Sequence, residues 1–392
     1  TNDSTAENVE IDGGQVLGTT ATLQSGSAGG AGSDVVITTA LNNTAGSIVI
    51  DQGTSCVLNN SVTAASSAGD DVTISIGVEV GSDTSVTADD VVTLSGGVSA
   101  ITGGETLQVN GTTVELYTVD DSGGGYLGQL DVNATNLNLN AGTVRTSGAI
   151  DWNAAMTITP AVSPVNVTSG GGNITLVGAS LEDGAATRVV NFDAGAGTLS
   201  LDTVTMTSGG SGIGVNGAGG LEFAGSIETD NGLDFSTNVS GGNTATLIGA
   251  ASLQSNSGDV DFGTVNDVNI NGAYTLDLTS SVGDVDVHNI GNNSRVSTLT
   301  VDAGGTFTIG GGSIFTEEAN VDFSACADVE IAANLVIDTE SGNDGNAGNV
   351  VFASTSAIDS AGGNSLQIDT RSTSNAFGDI TVGVLGANNQ LS

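Results

Sequence analysis

A five-residue pattern returns along this chain: a small residue, Asp or Asn, Val or Ile, any residue, then an apolar one. It reads Gly172-Asn173-Ile174-Thr175-Leu176, Gly258-Asp259-Val260-Asp261-Phe262 and Gly283-Asp284-Val285-Asp286-Val287. Further copies are Ala319-Asn320-Val321-Asp322-Phe323, Ala327-Asp328-Val329-Glu330-Ile331, Gly348-Asn349-Val350-Val351-Phe352 and Gly378-Asp379-Ile380-Thr381-Val382. Each copy is a turn signal followed by polar/apolar alternation, which is how a short half-buried strand reads. Apolar residues recur at a near-constant interval. Ile50, Ile74, Leu94, Leu116 and Leu139 step by 24, 20, 22 and 23 residues. Leu176, Leu201, Phe223, Leu247 and Ile270 step by 25, 22, 24 and 23, and Phe262, Val287, Ile309, Ile331 and Phe352 by 25, 22, 22 and 21.

A repeat of this length without a helical period is one coil of two or three short strands joined by corners. A single coil cannot bury its inward residues, so coils must stack into a continuous core. The expected fold is therefore all-β: a right-handed parallel β-helix (β-solenoid) with about 22–25 residues per coil. The 60 glycines and abundant Asn suit corners that need positive φ. Proline deletes ladder donors, and only Pro160 and Pro164 occur.

Charge narrows the function. The chain has 44 acidic side chains against four arginines and no lysine, for a formal net charge of −40. It cannot neutralise phosphates, which excludes nucleic acid and anionic membrane surfaces as partners. No apolar run is long enough to cross a bilayer, so membrane insertion is not expected. Disorder does not fit a chain that is 38% hydrophobic with its Val, Ile and Leu evenly spread. The sequence opens Thr1-Asn2-Asp3, without Met or an apolar leader, so a processed chain or excised segment is expected. The strand pattern starts almost at once, at Val9-Glu10-Ile11, and continuation into neighbouring sequence or another subunit is expected.

The Gly-Asp/Asn-Ile/Val-x-Leu/Phe strands, with Thr/Asn/Gly-rich stretches between them, resemble the repeats of filamentous haemagglutinin-like adhesins and related autotransporter passengers. The likeness is one of style and period and spans essentially the whole chain. It implies a secreted, extracellular or cell-surface solenoid with a structural or adhesive role, as a surface fibre, stalk or filament subunit. It implies host or cell-surface glycans or proteins as partners; end-to-end self-association is expected separately, because an acidic solenoid repels its neighbours sideways and shows no obvious polar cap at either end. The secretion-signal domain typical of that family has no counterpart in this sequence. The alternative function is a polysaccharide-binding or polysaccharide-degrading β-helix.

Two interruptions organise the chain. Residues 151–168 hold the only Trp, both prolines and Met156, and all nine Phe follow position 190. This suggests an N-terminal solenoid section over 1–150, an irregular junction over 151–168 and a C-terminal section over 169–392; one continuous solenoid with an irregular coil is the other reading. Tyr117 to Tyr126 enclose the glycine-rich Asp120-Asp121-Ser122-Gly123-Gly124-Gly125, expected to protrude as a loop. Its two tyrosines are candidate inter-subunit contacts, against the reading of an ordinary loop.

No catalytic set emerges. A lyase acting on uronates needs a base and cations to hold its substrate, which this chain lacks. Asp70-Asp71, Asp89-Asp90 and Asp120-Asp121 are sequence neighbours, and adjacent strand residues face opposite ways. The single histidine, His288, has no partner motif. Thr203-Val204-Thr205-Met206-Thr207 and Thr157-Ile158-Thr159 look locally like ice-binding rows but do not recur at the coil period. No cofactor is required. Asp259, Asp261, Asp284 and Asp286 lie one period apart and should stack outward, where Ca²⁺ would relieve their repulsion. Ordinary salt screening is the competing reading. Ser341-Gly342-Asn343-Asp344-Gly345 resembles a calcium nonapeptide only superficially, since it is not iterated. Cys56 and Cys326 are about 12 coils apart, too far for an intrachain disulfide. They are either small buried residues or inter-subunit contacts in a head-to-tail filament.

Overall fold

The structure is a computed structural model that describes residues 9–11, 14–16, 20–25, 34–65, 68–120, 125–140, 142–152, 155–236, 244–263, 268–342, 345–372, 376–386 and 391. Among the described residues there is no helix, and the chain is a parallel β-solenoid of short strands. Three ladders of parallel strands recur in fixed order from coil to coil, with isolated bridges at Val119 and Ile290 and with Gly220–Thr229 and Thr244–Ser255 each serving two ladders. The chain divides into two compact units, one of residues 1–184 and 190–197, the other of 185–189 and 198–392.

In the first unit the first ladder stacks Ala21, Ile48, Val72, Val92, Val114, Leu137, Ile158 and Leu181 in register. A second ladder stacks Leu41, Val62, Val86, Val109 and Val132. The third aligns Val35, Cys56, Val78, Val98, Val119, Val144, Val167 and Phe192, none more than 2% exposed. Alternation makes this possible: in Ser47–Gln52, Ile48 and Ile50 face inward while Ser47 and Val49 face out. Each such Val, Ile or Leu contributes about 1.5–3 kcal/mol of burial. Residues 151–168 lie inside this unit. Their strands Thr157–Pro160 and Val165–Ser169 hold register with the coils before and after them.

The second unit repeats the plan. Its third ladder runs Ile213, Leu233, Val260, Val285, Phe307, Val329, Ile358 and Leu385. Successive steps there range from 20 residues (Ile213 to Leu233) to 29 (Val329 to Ile358), wider than the 22–25 expected. The strands keep register while the corners absorb the extra length. Aromatic stacking reinforces this core. Phe235 lies 5.0 Å, centroid to centroid, from both Phe223 and Phe262, and Phe323 lies 4.9 Å from Phe307 and 5.1 Å from Phe352. Phe323 and Phe352 are register partners at the ~4.8 Å strand spacing, whereas Phe307 belongs to the third ladder and meets Phe323 from a different one.

Corners are closed by buried hydroxyls. Thr229, Ser255 and Ser280 stack in register with no exposure. The Ser280 hydroxyl donates to the Gly258 carbonyl (2.9 Å) and accepts the Gly283 N–H (2.9 Å). Backbone groups that leave the ladder at a bend are thereby satisfied without water. At one corner the bend is absorbed inside a strand. Gly220–Thr229 continues through a register shift at Gly225, whose φ of 65° and approach to Asp202 leave no room for a side chain.

Candidate functional site

The recurring motif has a structural explanation that accounts for each of its positions. Asp259 Oδ1 accepts the backbone N–H of Asp284, one coil on, at 2.8 Å, and Asp284 Oδ1 accepts that of Thr306 at 2.7 Å. Asn320 accepts from Asn349 (2.8 Å), and Asn349 from Asp379 (2.7 Å), in the same way. The glycine before the acid lies against the preceding coil: a Cβ on Gly283 would meet Asp259 Oδ1 at 2.3 Å and the Gly258 backbone at 2.8 Å. The apolar positions then enter the core, with Val260, Phe262, Val285 and Val287 all unexposed. In these four copies the motif is a coil-to-coil clasp.

The outward residue of the motif forms a column of acids in the second unit. Asp234, Asp261 and Asp286 occupy the same register position on three successive coils. A shallow cavity of about 300 Å³ opens beside them, lined by Ile213, Asn231, Leu233, Asp234, Asp259 and Asp261 among others. Burial raises the Asp261 carboxyl above its ordinary value of 3.8, aided by the charges of Asp234 and Asp259; Gly263 N–H, at 2.6 Å, and Ser236 pull the other way. Burial also raises Asp286, with the Thr308 hydrogen bond opposing and the charges of Asp261, Asp284 and Asp259 adding to the rise. Sequence spacing identifies four of these acids; Asp234 escapes it because Asn231-Gly232-Leu233-Asp234-Phe235 has glycine where the pattern has Asp or Asn, and Leu where it has Val or Ile.

Among the described residues no three His, Cys, Asp or Glu side chains converge closely enough to hold a metal ion. Asp259 and Asp284 each commit an oxygen to a backbone N–H instead. The adjacent acids Asp70 and Asp71, just before the strand Val72–Ile74, are not brought together as a pair: Asp70 is buried, and Asp71 accepts the Val91 N–H at 3.1 Å. Asp121 to Gly124, and Asn343 with Asp344, lie outside the described residues.

The remaining candidates are not brought together. Cys56, in the first unit, is fully buried in the third ladder between Val35 and Val78. Cys326, in the second, is 1% exposed, and its thiol lies 3.3 Å from the Val301 carbonyl. Burial, with the Asp34 charge, pushes the Cys56 thiol up to about 12; burial pushes Cys326 up to about 12 as well. Neither thiol lies at a surface where a second chain could reach it. Tyr117 and Tyr126 are half-buried, and the Arg145 guanidinium sits 4.5 Å from the centre of the Tyr126 ring.

One surface had no signal in the sequence pattern. On the last described coil Phe377, Ile380, Val382, Val384 and Leu385 are 41–67% exposed. Ile358 and Val350, the register partners of Leu385 and Ile380 one coil earlier, are unexposed. The alternation of these residues is the same as that of interior coils, so local sequence alone does not reveal their exposure. No known family, curated protein or solved structure matches the chain, so its function must be read from its own residues.

Proposed function

We propose that this protein is an extracellular structural or adhesive β-solenoid, serving as a surface fibre or stalk. The observation that carries this reading is the coil-to-coil clasp. In the copies at Asp259, Asp284, Asn320 and Asn349, the residues available on the motif's turn and core positions are committed to holding successive coils together. Three of these copies carry an outward carboxylate, Asp261, Asp286 and Asp322, in a chain of net charge −40. Such a surface stays soluble and repels its neighbours, which suits a particle exposed outside the cell. The resemblance of its strands to haemagglutinin-like repeats supports the same reading.

Immunogold labelling of intact source cells tests it, combined with a glycan array and a depolymerisation assay on acidic and neutral polysaccharides. Surface labelling without turnover is the expected result. Measurable depolymerisation replaces this reading with that of a polysaccharide-degrading solenoid, and purely internal labelling removes it.

A further inference from the structure

Asn followed two residues on by Ser or Thr, with no proline between, is the acceptor pattern for N-linked glycosylation. The chain carries it at Asn2, Asn42, Asn59, Asn110, Asn133, Asn166, Asn173, Asn238 and Asn292. A chain rich in Asn, Ser and Thr forms such triplets readily, so the pattern by itself selects none of them. A transferase must reach the side-chain amide and the hydroxyl two residues on, which requires a solvated segment clear of the ladders.

Most of the described copies do not meet that requirement. Asn42 lies within the strand Leu41–Asn43, paired with Gln15 on one side and Thr63 on the other. Asn59 is half-buried against Gly81. The Asn133 amide donates to Asn110 Oδ1 at 3.1 Å, and Asn110 donates onward to the Thr87 hydroxyl at 3.0 Å. Asn166, within the strand Val165–Ser169, accepts from the Asn191 amide at 3.0 Å. Asn173 is exposed, but Ile174–Thr175 directly after it pair with Ile150–Asp151. Asn2 and Asn238 lie outside the described residues.

Asn292 is placed differently. It sits in a corner of the second unit, residues 291–295, between the isolated bridges at Ile290 and Val296. Asn292, Asn293 and Ser294 are all exposed. The buried Asn271 holds this corner from the preceding coil, its Oδ1 accepting the backbone N–H groups of Asn293 (2.9 Å) and Ser294 (3.2 Å). Among the described residues the Asn292 side chain has no hydrogen-bond partner. A shallow cavity of about 350 Å³ opens beside it, lined by Asn293, Arg295, Phe315 and Glu317 among others, with room for a first sugar ring.

We propose that Asn292 is an N-glycosylation site. The proposal rests on the extracellular reading above, since this modification marks surface loops of secreted chains. The sugar comes from a glycosyl diphosphate donor. Asn292 Nδ2 forms a bond to C1 of the sugar, and the C1–O bond to the diphosphate breaks. The diphosphate leaves with the bonding pair, and Nδ2 gives up one proton to a base of the transferase.

The chain is purified from its source cells and cut before aspartate, which isolates residues 286–301. Mass spectrometry should find a sugar mass on Asn292 and none on the fragments carrying Asn110, Asn133 or Asn166. Asn292→Gln and Ser294→Ala, expressed in the same cells, should each lose that mass, and Ser294→Thr should keep it. Circular dichroism checks that each variant keeps its strands. A bare 286–301 fragment overturns the proposal, and so does a sugar mass that survives Asn292→Gln. Equal occupancy at Asn110 and Asn133 overturns it too, because exposure would then not select the site. Immunogold labelling reads location independently. A bare Asn292 on a surface-labelled chain removes this proposal alone, and a modified Asn292 on an internally labelled chain removes only the extracellular reading.

Discussion

Asp261 and Asp286 occupy the same register position on neighbouring coils of the second unit, and burial raises both above the ordinary carboxylate value. Parallel stacking repeats any outward residue at the coil spacing, so two acids in one column are held close whatever their separation in sequence. The proton affinity they gain on folding makes stability depend on pH. With folded values above the unfolded value of 3.8, their contribution is complete below 3.8 and is lost as pH rises through the folded values.

The second unit should therefore unfold at a higher temperature near pH 4 than at pH 7. Asp261→Asn should remove part of that difference by raising the pH 7 value, by about 0.5–1 kcal/mol once solvent screening is allowed for. Thermal unfolding followed by circular dichroism at both pH values checks this. A variant with an unchanged pH profile would exclude the ladder as its source.

Gly283 carries the close approach of two coils, so Gly283→Ala should cost about 1–3 kcal/mol through displaced backbone. The comparison is Gly209→Ala, where nothing lies within 4 Å and no positive φ is required. Urea titrations of the two variants should differ clearly, with Gly209→Ala close to the parent.

Phe235 touches two other rings and is 1% exposed. Phe235→Ala should lower the stability of the second unit by about 3–5 kcal/mol, the usual cost of an aromatic cavity. Phe235→Leu should recover much of this loss. Equal losses in the two variants would show that volume is not the governing factor.

The cysteines should be silent in the folded protein. A thiol reagent at pH 8 should label neither Cys56 nor Cys326 until denaturant is added, given full burial and thiol values near 12. Cys56→Val should be tolerated, since valine stands at the same position on the coils before and after it. Cys56→Asp should prevent stacking there. Rapid labelling of the native chain would show that the coil opens.

Local alternation plus a period is enough to read a solenoid, because each strand must put every second residue inward and each coil must repeat that choice. The series Ile50, Ile74, Leu94, Leu116 and Leu139 is in true register throughout. The other two series go astray at their last step. Ile270 aligns with Ala245 rather than two residues later on Leu247, and Ile331 aligns with Ser360, while Phe352 stacks on Phe323 in a different ladder. A count of residues does not say which strand of a coil an apolar residue belongs to once corners change length. The outward stacking of Asp261 on Asp286 was legible in the same spacing, whereas the role of Asp259 and Asp284 was not. Their bonds run to backbone N–H groups one coil on, about 22–25 residues away in sequence.

The sequence by itself thus determined a β-solenoid of acidic surface, through alternation, period and the absence of lysine. Only the tertiary structure decided that Asp259, Asp284, Asn320 and Asn349 clasp the next coil and that both thiols are sealed in the core. Each of those facts depends on which coil lies above or below a residue, and that neighbour is distant along the chain.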